Sequence, residues 1–242
     1  MRTHTDPSLA LVYARLVAAW GPQHWWPGDT PFEVAVGAVL TQNTSWSNAE
    51  KAIDALRSSG ALSIKDLTAL SETDLATLIR PAGYHNMKTR TLRALSAWLM
   101  LHTPNGDPSE LTDADLQRLR VDLLSVHGIG KETADSILLY AAGRPIFVVD
   151  AYTKRIGTRL GLLPENATYD AAQRYFTTRL TEDVYLFNEF HALLVRLAKE
   201  HCRARLVCLA CPLEQCCPSA DVSPPTRQAA SLSTMSERRS TP

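Results

Sequence analysis

The chain has 242 residues, enough to bury a sizeable core as one large or two small domains. Its 25 basic and 25 acidic residues cancel, so overall charge selects no partner and only a local basic surface could draw a polyanion. A hydrophobic content of 45% is ordinary for a soluble protein, and no apolar run is long enough to span a bilayer; Arg15 interrupts the stretch from Leu9 to Trp20. The first residues, with His4, Asp6 and Pro7, do not read as a secretion signal, and a cytoplasmic protein without a membrane partner is expected.

From the N-terminus, apolar residues recur at helical spacing through Leu9–Trp20, Phe32–Leu40, Ala49–Leu56, Asp74–Ile79, Arg90–Leu101 and Asp113–Val126. They recur again through Thr133–Ala142, Ala151–Leu160, Tyr169–Leu180 and Val184–Glu200. Helix breaks fall at Gly21-Pro22, Pro27-Gly28, Gly60, Pro81, Pro104-Asn105-Gly106, Gly143 and Pro164. Thr112, Asp113 and Asp115 offer an N-cap and an acidic first turn for one helix. The pattern predicts an all-α protein of about ten short helices. Only Ile146-Phe147-Val148-Val149 reads as extended, and so short a run is equally a buried link. From Ser219 onward Ser, Pro, Thr and Gln dominate, which predicts a disordered tail over 219–242.

Two motifs carry chemistry. In Val126-His127-Gly128-Ile129-Gly130-Lys131-Glu132-Thr133-Ala134, the glycines permit a tight turn and the following helix presents unpaired N–H groups to an anion. Gly-x-Gly before a helix is common, but Val148-Val149-Asp150-Ala151-Tyr152, then Lys154 and Arg155, follow about 20 residues on. The second motif is Cys202-x5-Cys208-x2-Cys211-x5-Cys217, four thiols in one short loop-rich segment. That spacing suits an iron–sulfur cluster better than zinc, whose four-cysteine sites pair two short knuckles across a spacer; here only Cys208 and Cys211 form one. Cys216 could replace Cys217 as the fourth ligand, and a disulfide framework is disfavoured by the chain's length and its odd thiol.

In this order, Gly128-Ile129-Gly130, Val149-Asp150 and the four-cysteine loop resemble the helix–hairpin–helix DNA glycosylases of the endonuclease III superfamily, over residues 20–218. The family's first cysteine spacing is usually one residue longer. The resemblance implies a six-helix barrel with the hairpin (34–144), a terminal helical domain built from 1–33 and 145–218 that carries a [4Fe–4S] loop, and duplex DNA with a damaged base bound between them. It also implies a nucleoid-associated monomer acting in base excision repair. Leu40-Thr41-Gln42-Asn43-Thr44 is similar to the stretch whose glutamine fills the gap left by a flipped base. Gly83-Tyr84-His85-Asn86-Met87-Lys88 is similar to a loop and helix start near the DNA backbone. DNA contacts are thus implied for Gln42, Lys88, Gly128, Gly130, Lys131, Arg203 and Arg205, and metal ligation for Cys202, Cys208, Cys211 and Cys217. For Gln42 and Lys88 the bland alternatives are a polar helix end and a solvated lysine.

Breaking a base–sugar bond leaves oxocarbenium character on the sugar, which a carboxylate stabilises while orienting water. Asp150 is the expected catalytic group, and capping the helix at Ala151 would still leave it one free oxygen. Family members that cut the backbone carry a lysine where this chain has Glu132, and Lys131 is turned about 100° away. Glu132 reads equally as a catalytic partner whose repulsion with Asp150 raises a pKa and as a solvated first-turn acid. Trp25, Trp26 and Trp46 are the expected base pocket, since indole faces favour a cationic alkylated purine; core packing is the alternative for Trp46. Glutamate beside aromatics is similar to bacterial 3-methyladenine DNA glycosylase III, a subfamily that generally lacks the cluster. The expected activity is a monofunctional DNA N-glycosylase favouring alkylated purines. The alternatives are a glycosylase/AP lyase for oxidised pyrimidines and a catalytically silent damage-site binder. His191, Arg196, Lys199 and His201 lie on the last helix with no catalytic role assigned.

Overall fold

A computed structural model describes residues 7–25, 28–112 and 115–222. Trp26, Pro27, Asp113 and the expected tail beyond residue 222 lie outside the described residues. Regular structure among the described residues is helical: α1 (Leu9–Trp20), α2 (Pro31–Leu40), α3 (Trp46–Ser58), α4 (Ile64–Ala69), α5 (Glu72–Leu78), α6 (His85–His102), α7 (Leu116–Leu124), α8 (Lys131–Ser136), α9 (Ala151–Arg159), α10 (Tyr169–Thr177) and α11 (Val184–Glu200). The expected all-α class is what the chain adopts.

Local chemistry starts these helices. Ser8, Thr30, Ser63, Ser71, Asp115, Asp150, Thr168 and Asp183 each accept the backbone N–H three residues on. Such caps contribute about 1 kcal/mol apiece. They explain α4, which apolar spacing did not predict: six residues are too few to display a period, but Ser63 caps Asp66 N–H while its hydroxyl meets the Asp66 carboxylate. The α6 helix begins at His85, earlier than the apolar run, because its buried positions there are the polar Lys88 and Thr89 while Met87 is exposed. The run expected over Thr133–Ala142 starts at Lys131 and changes after Ser136 into a π-helical turn, Ile137–Ala141. Ile146–Val149 is a buried link without strand pairing.

The α2 helix is the central post. Phe32 through Leu40 are all buried, and the helix packs against α3, α6, α8 and the π turn. Apart from Glu33, whose carboxylate accepts from Arg57 Nη2 at 2.6 Å, the sequence is apolar on every face, as such a position requires. The α11 helix packs against α1, α9 and the π turn. Beside it Phe147 stacks on Phe176 at 4.4 Å and meets Phe187 edge-on at 5.5 Å. Buried Glu189 on α11 accepts the N–H groups of Gln23 and His24 at 2.6 and 2.8 Å, which fixes the strand of chain leading to Trp25.

Candidate active site

The turn before α8 shows why each glycine is there. Gly128 has φ +80°, and a Cβ on it would lie 2.0 Å from Thr91 Oγ1 on α6. Both backbone and space exclude a side chain. Gly130, the N-cap of α8, has φ −94°, and a Cβ there would meet nothing within 4 Å. Its missing side chain therefore bares backbone towards open space. Gln42, just past α2, donates its amide to Gly128 O at 3.0 Å and Thr133 Oγ1 at 2.8 Å. Lys131 points the other way, to Asp170 Oδ2 on α10 at 2.5 Å, as one residue's rotation from Glu132 predicts.

Four titratable groups meet where α8, the π turn, α9 and α11 converge. Asp150 caps α9, its Oδ1 accepting Thr153 N–H at 2.6 Å. Its Oδ2 lies 3.7 Å from His191 Nε2. The other ring nitrogen of His191, Nδ1, is hydrogen-bonded to the Tyr140 hydroxyl. When the phenol donates to Nδ1, the ring proton sits on Nε2 and faces Asp150. Burial alone would push the Asp150 carboxyl up, but the facing His191 ring and the hydrogen bond from Thr153 N–H bring it net below the usual range. Glu132 moves in the opposite direction. Its residue reaches the surface, yet the wall around its carboxylate raises its pKa by desolvation first and by the Asp150 charge second, with His191 opposing. Tyr140 is raised well above its usual value by burial, then by Asp150 and Glu132, so it stays a neutral donor. The result is one carboxylate held ionised beside another that protonates more readily.

A second buried group supports this corner. Asp135, fully buried on α8, accepts from Arg120 Nε at 2.6 Å and Nη2 at 3.1 Å, from the Tyr169 hydroxyl at 2.6 Å and from Gln173 Nε2 at 2.6 Å. Gln173 also donates to Phe147 O at 2.8 Å, and the Tyr169 oxygen receives Val149 N–H at 3.4 Å. The network thus grips the buried link that ends at Asp150.

Other expected site residues fall at varied places. Lys88 corrects its expectation: it is 3% exposed and donates to Leu40 O and Ala82 O, each at 2.8 Å, so its ammonium does not face a DNA backbone. Half-buried Trp25 sets its ring 5.8 Å from Lys199 Nζ, about 12 Å along α11 from His191. Partly buried Trp46 packs on the core from the first turn of α3, nearer its bland reading. Arg203 and Arg205 are exposed, with Arg203 Nε on Lys199 O at 2.6 Å. Cys202, Cys208, Cys211 and Cys217 line one cavity with Ile156, Leu160, Leu197 and Leu213. Cys216 turns its thiol to Leu213 O at 3.4 Å. Sequence reasoning missed Tyr140 and gave His191 no role. The available signal was a histidine inside Phe190-His191-Ala192-Leu193-Leu194, a run that must be buried and so must supply the ring with a partner.

Comparison with known proteins fits this geometry. The profile for "HhH-GPD superfamily base excision DNA repair protein" matches residues 36–182, which include the hairpin, Glu132 and Asp150. The chain is 44% identical over 217 residues to "Putative DNA repair glycosylase MJ1434" of Methanocaldococcus jannaschii, covering 90% of this chain and 99% of that one. It is 27% identical to endonuclease III of Sulfolobus acidocaldarius, over 77% of this chain and 81% of the other. A solved endonuclease III–DNA complex superposes with a TM-score of 0.74 at 21% identity, over 88% and 95% of the two chains. The H. pylori 3-methyladenine DNA glycosylase MagIII bound to 1,N6-ethenoadenine superposes with a TM-score of 0.65 at 29% identity, over 79% and 94%. The chain belongs to the helix–hairpin–helix (HhH-GPD) superfamily of base excision DNA repair glycosylases.

Proposed function

We propose that the protein is a monofunctional glycosylase that hydrolyses the bond between an alkylated purine and its deoxyribose and leaves the DNA backbone intact. The observation that carries this reading is the pair formed by ionised Asp150 and Glu132, with Lys131 drawn away to Asp170. Asp150 would stabilise the sugar cation and orient water, and Glu132, at the place of the lyase lysine, offers no amine for a Schiff base. Two carboxylates also favour a cationic base, which departs without a strong acid. The likeness to MagIII, named for 3-methyladenine, supports the same substrate class. DNA would lie across Gly128–Gly130, Gln42, Arg203 and Arg205. Release of 3-methyladenine from a duplex, with strand cleavage only after alkali, is the expected result. Spontaneous cleavage at an oxidised pyrimidine, with borohydride trapping of a protein–DNA adduct, would replace this reading with the lyase.

The four cavity-lining thiols fit a [4Fe–4S] cluster, which takes four cysteine thiolates. Among the described residues no group of three or more His, Cys, Asp or Glu side chains is arranged for a single metal ion. When bound, the cluster would tie together the loop that presents Arg203 and Arg205. Purified protein should contain iron and acid-labile sulfide, both lost in Cys208→Ala; stoichiometric zinc instead would exclude the cluster.

A further inference from the structure

Lys88 does something other than contact DNA. Its ammonium is buried and donates to Leu40 O at the end of α2 and to Ala82 O in the turn before α6. One cation thus joins two loops that each turn, within three residues, through a left-handed conformation. Asn43 has φ +50°, which asparagine tolerates, and Tyr84 has φ +47°, which a tyrosine holds only when its surroundings enforce it. Tyr84 is 66% exposed at its turn, and Gln42 stands beside Asn43. One turn after Lys88, Thr91 abuts Gly128, whose carbonyl receives Gln42. The first turns of α6 therefore touch both loops and the glycine hairpin. A positive charge at the C-terminal end of α2 also complements that helix's dipole.

We propose that Lys88 is a positioning residue: its buried ammonium holds the Gln42 loop and the Tyr84 turn in register, so that both engage the duplex together when a base is drawn out. The proposal rests on Gln42 as the residue that fills the gap. Leucine or methionine at this position would satisfy the packing but release both carbonyls, whereas the lysine chain reaches them with one group.

The test compares wild type with Lys88→Met and Lys88→Gln on duplexes carrying 2-aminopurine beside the target base, whose fluorescence rises when the stack opens. On a fully paired target Lys88→Met should lose at least about tenfold in opening, while affinity for undamaged duplex stays within about twofold. The loss should shrink to about threefold or less when the target sits opposite an abasic analogue, where pairing no longer resists extrusion. Combining Lys88→Met with Gln42→Ala should add little to either single change, since the two act through one loop. Equal losses on both targets, or full additivity, would reduce Lys88 to a general stabilising contact and overturn the proposal. If Lys88→Met does not melt cooperatively, Lys88→Gln, which can still serve one carbonyl, carries the same comparison. A Gln42→Ala variant that opens the duplex as well as wild type would remove the gap-filling reading itself, a failure distinct from that of Lys88.

Discussion

Asp150→Asn should lower base release by roughly 10²–10⁴-fold while leaving the fold nearly intact. Asparagine caps a helix about as well as aspartate, so the bond from Thr153 N–H survives and the melting temperature should move by only about 2 °C. The charge is what disappears. Single-turnover base release and thermal melting, measured on the same preparation, separate the two roles. A large stability loss with a proportionate activity loss would make Asp150 a cap and nothing more. The pH dependence has a definite sign. Because the folded carboxyl titrates below its usual range, Asp150 contributes stability above the unfolded value and loses it as pH falls through the lower folded value. The acid limb of activity should accordingly lie low. His191→Phe removes the group that faces Oδ2 and leaves burial unopposed by it, so the limb should move to higher pH.

Asp135→Ala should be the most destabilising single change considered, by about 3–5 kcal/mol, because it strips the acceptor from Arg120, Tyr169 and Gln173 together and leaves the half-buried guanidinium only Asp170 Oδ1 at 3.8 Å. For a chain of this size the melting temperature would fall by roughly 6–20 °C. Replacing both partners, Arg120→Met with Asp135→Leu, should recover part of that loss, since no charge is then left unpaired. The same single variant should also weaken base release beyond its effect on folding. Tyr169 and Gln173 would lose the oxygen that orients them, and they hold Val149 N–H and Phe147 O just before Asp150. Calorimetric melting together with single-turnover rates at a temperature where the variant is fully folded would test both parts. A melting temperature within about 2 °C of wild type would show the network to be dispensable.

The two carboxylates illustrate how far linear reasoning reaches. Glu132 and Asp150 stand next to motifs of glycine and valine that are visible residue by residue, but the raised Glu132 pKa comes first from burial, which the sequence did not show, and only second from the Asp150 charge. The opposite direction at Asp150 was not readable, because it depends on His191, 41 residues later on another helix. Lys88 failed for a related reason. A lysine in the first turn of a helix is ordinarily solvated, and only the approach of the α2 end and the Ala82 turn shows that its head group is enclosed.

What the sequence alone determined is what neighbouring residues impose. Helical periodicity, the Ser, Thr and Asp caps, the glycine-dependent turn at Gly128 and the four-thiol spacing are all local, because backbone geometry and short-range hydrogen bonds act over a few residues. Tertiary structure alone decided which polar groups are buried and therefore obliged to find partners. Asp135 with Arg120, His191 between Tyr140 and Asp150, and Lys88 on two carbonyls are contacts between distant segments. Their strength comes from exclusion of water, and only the packed fold excludes it.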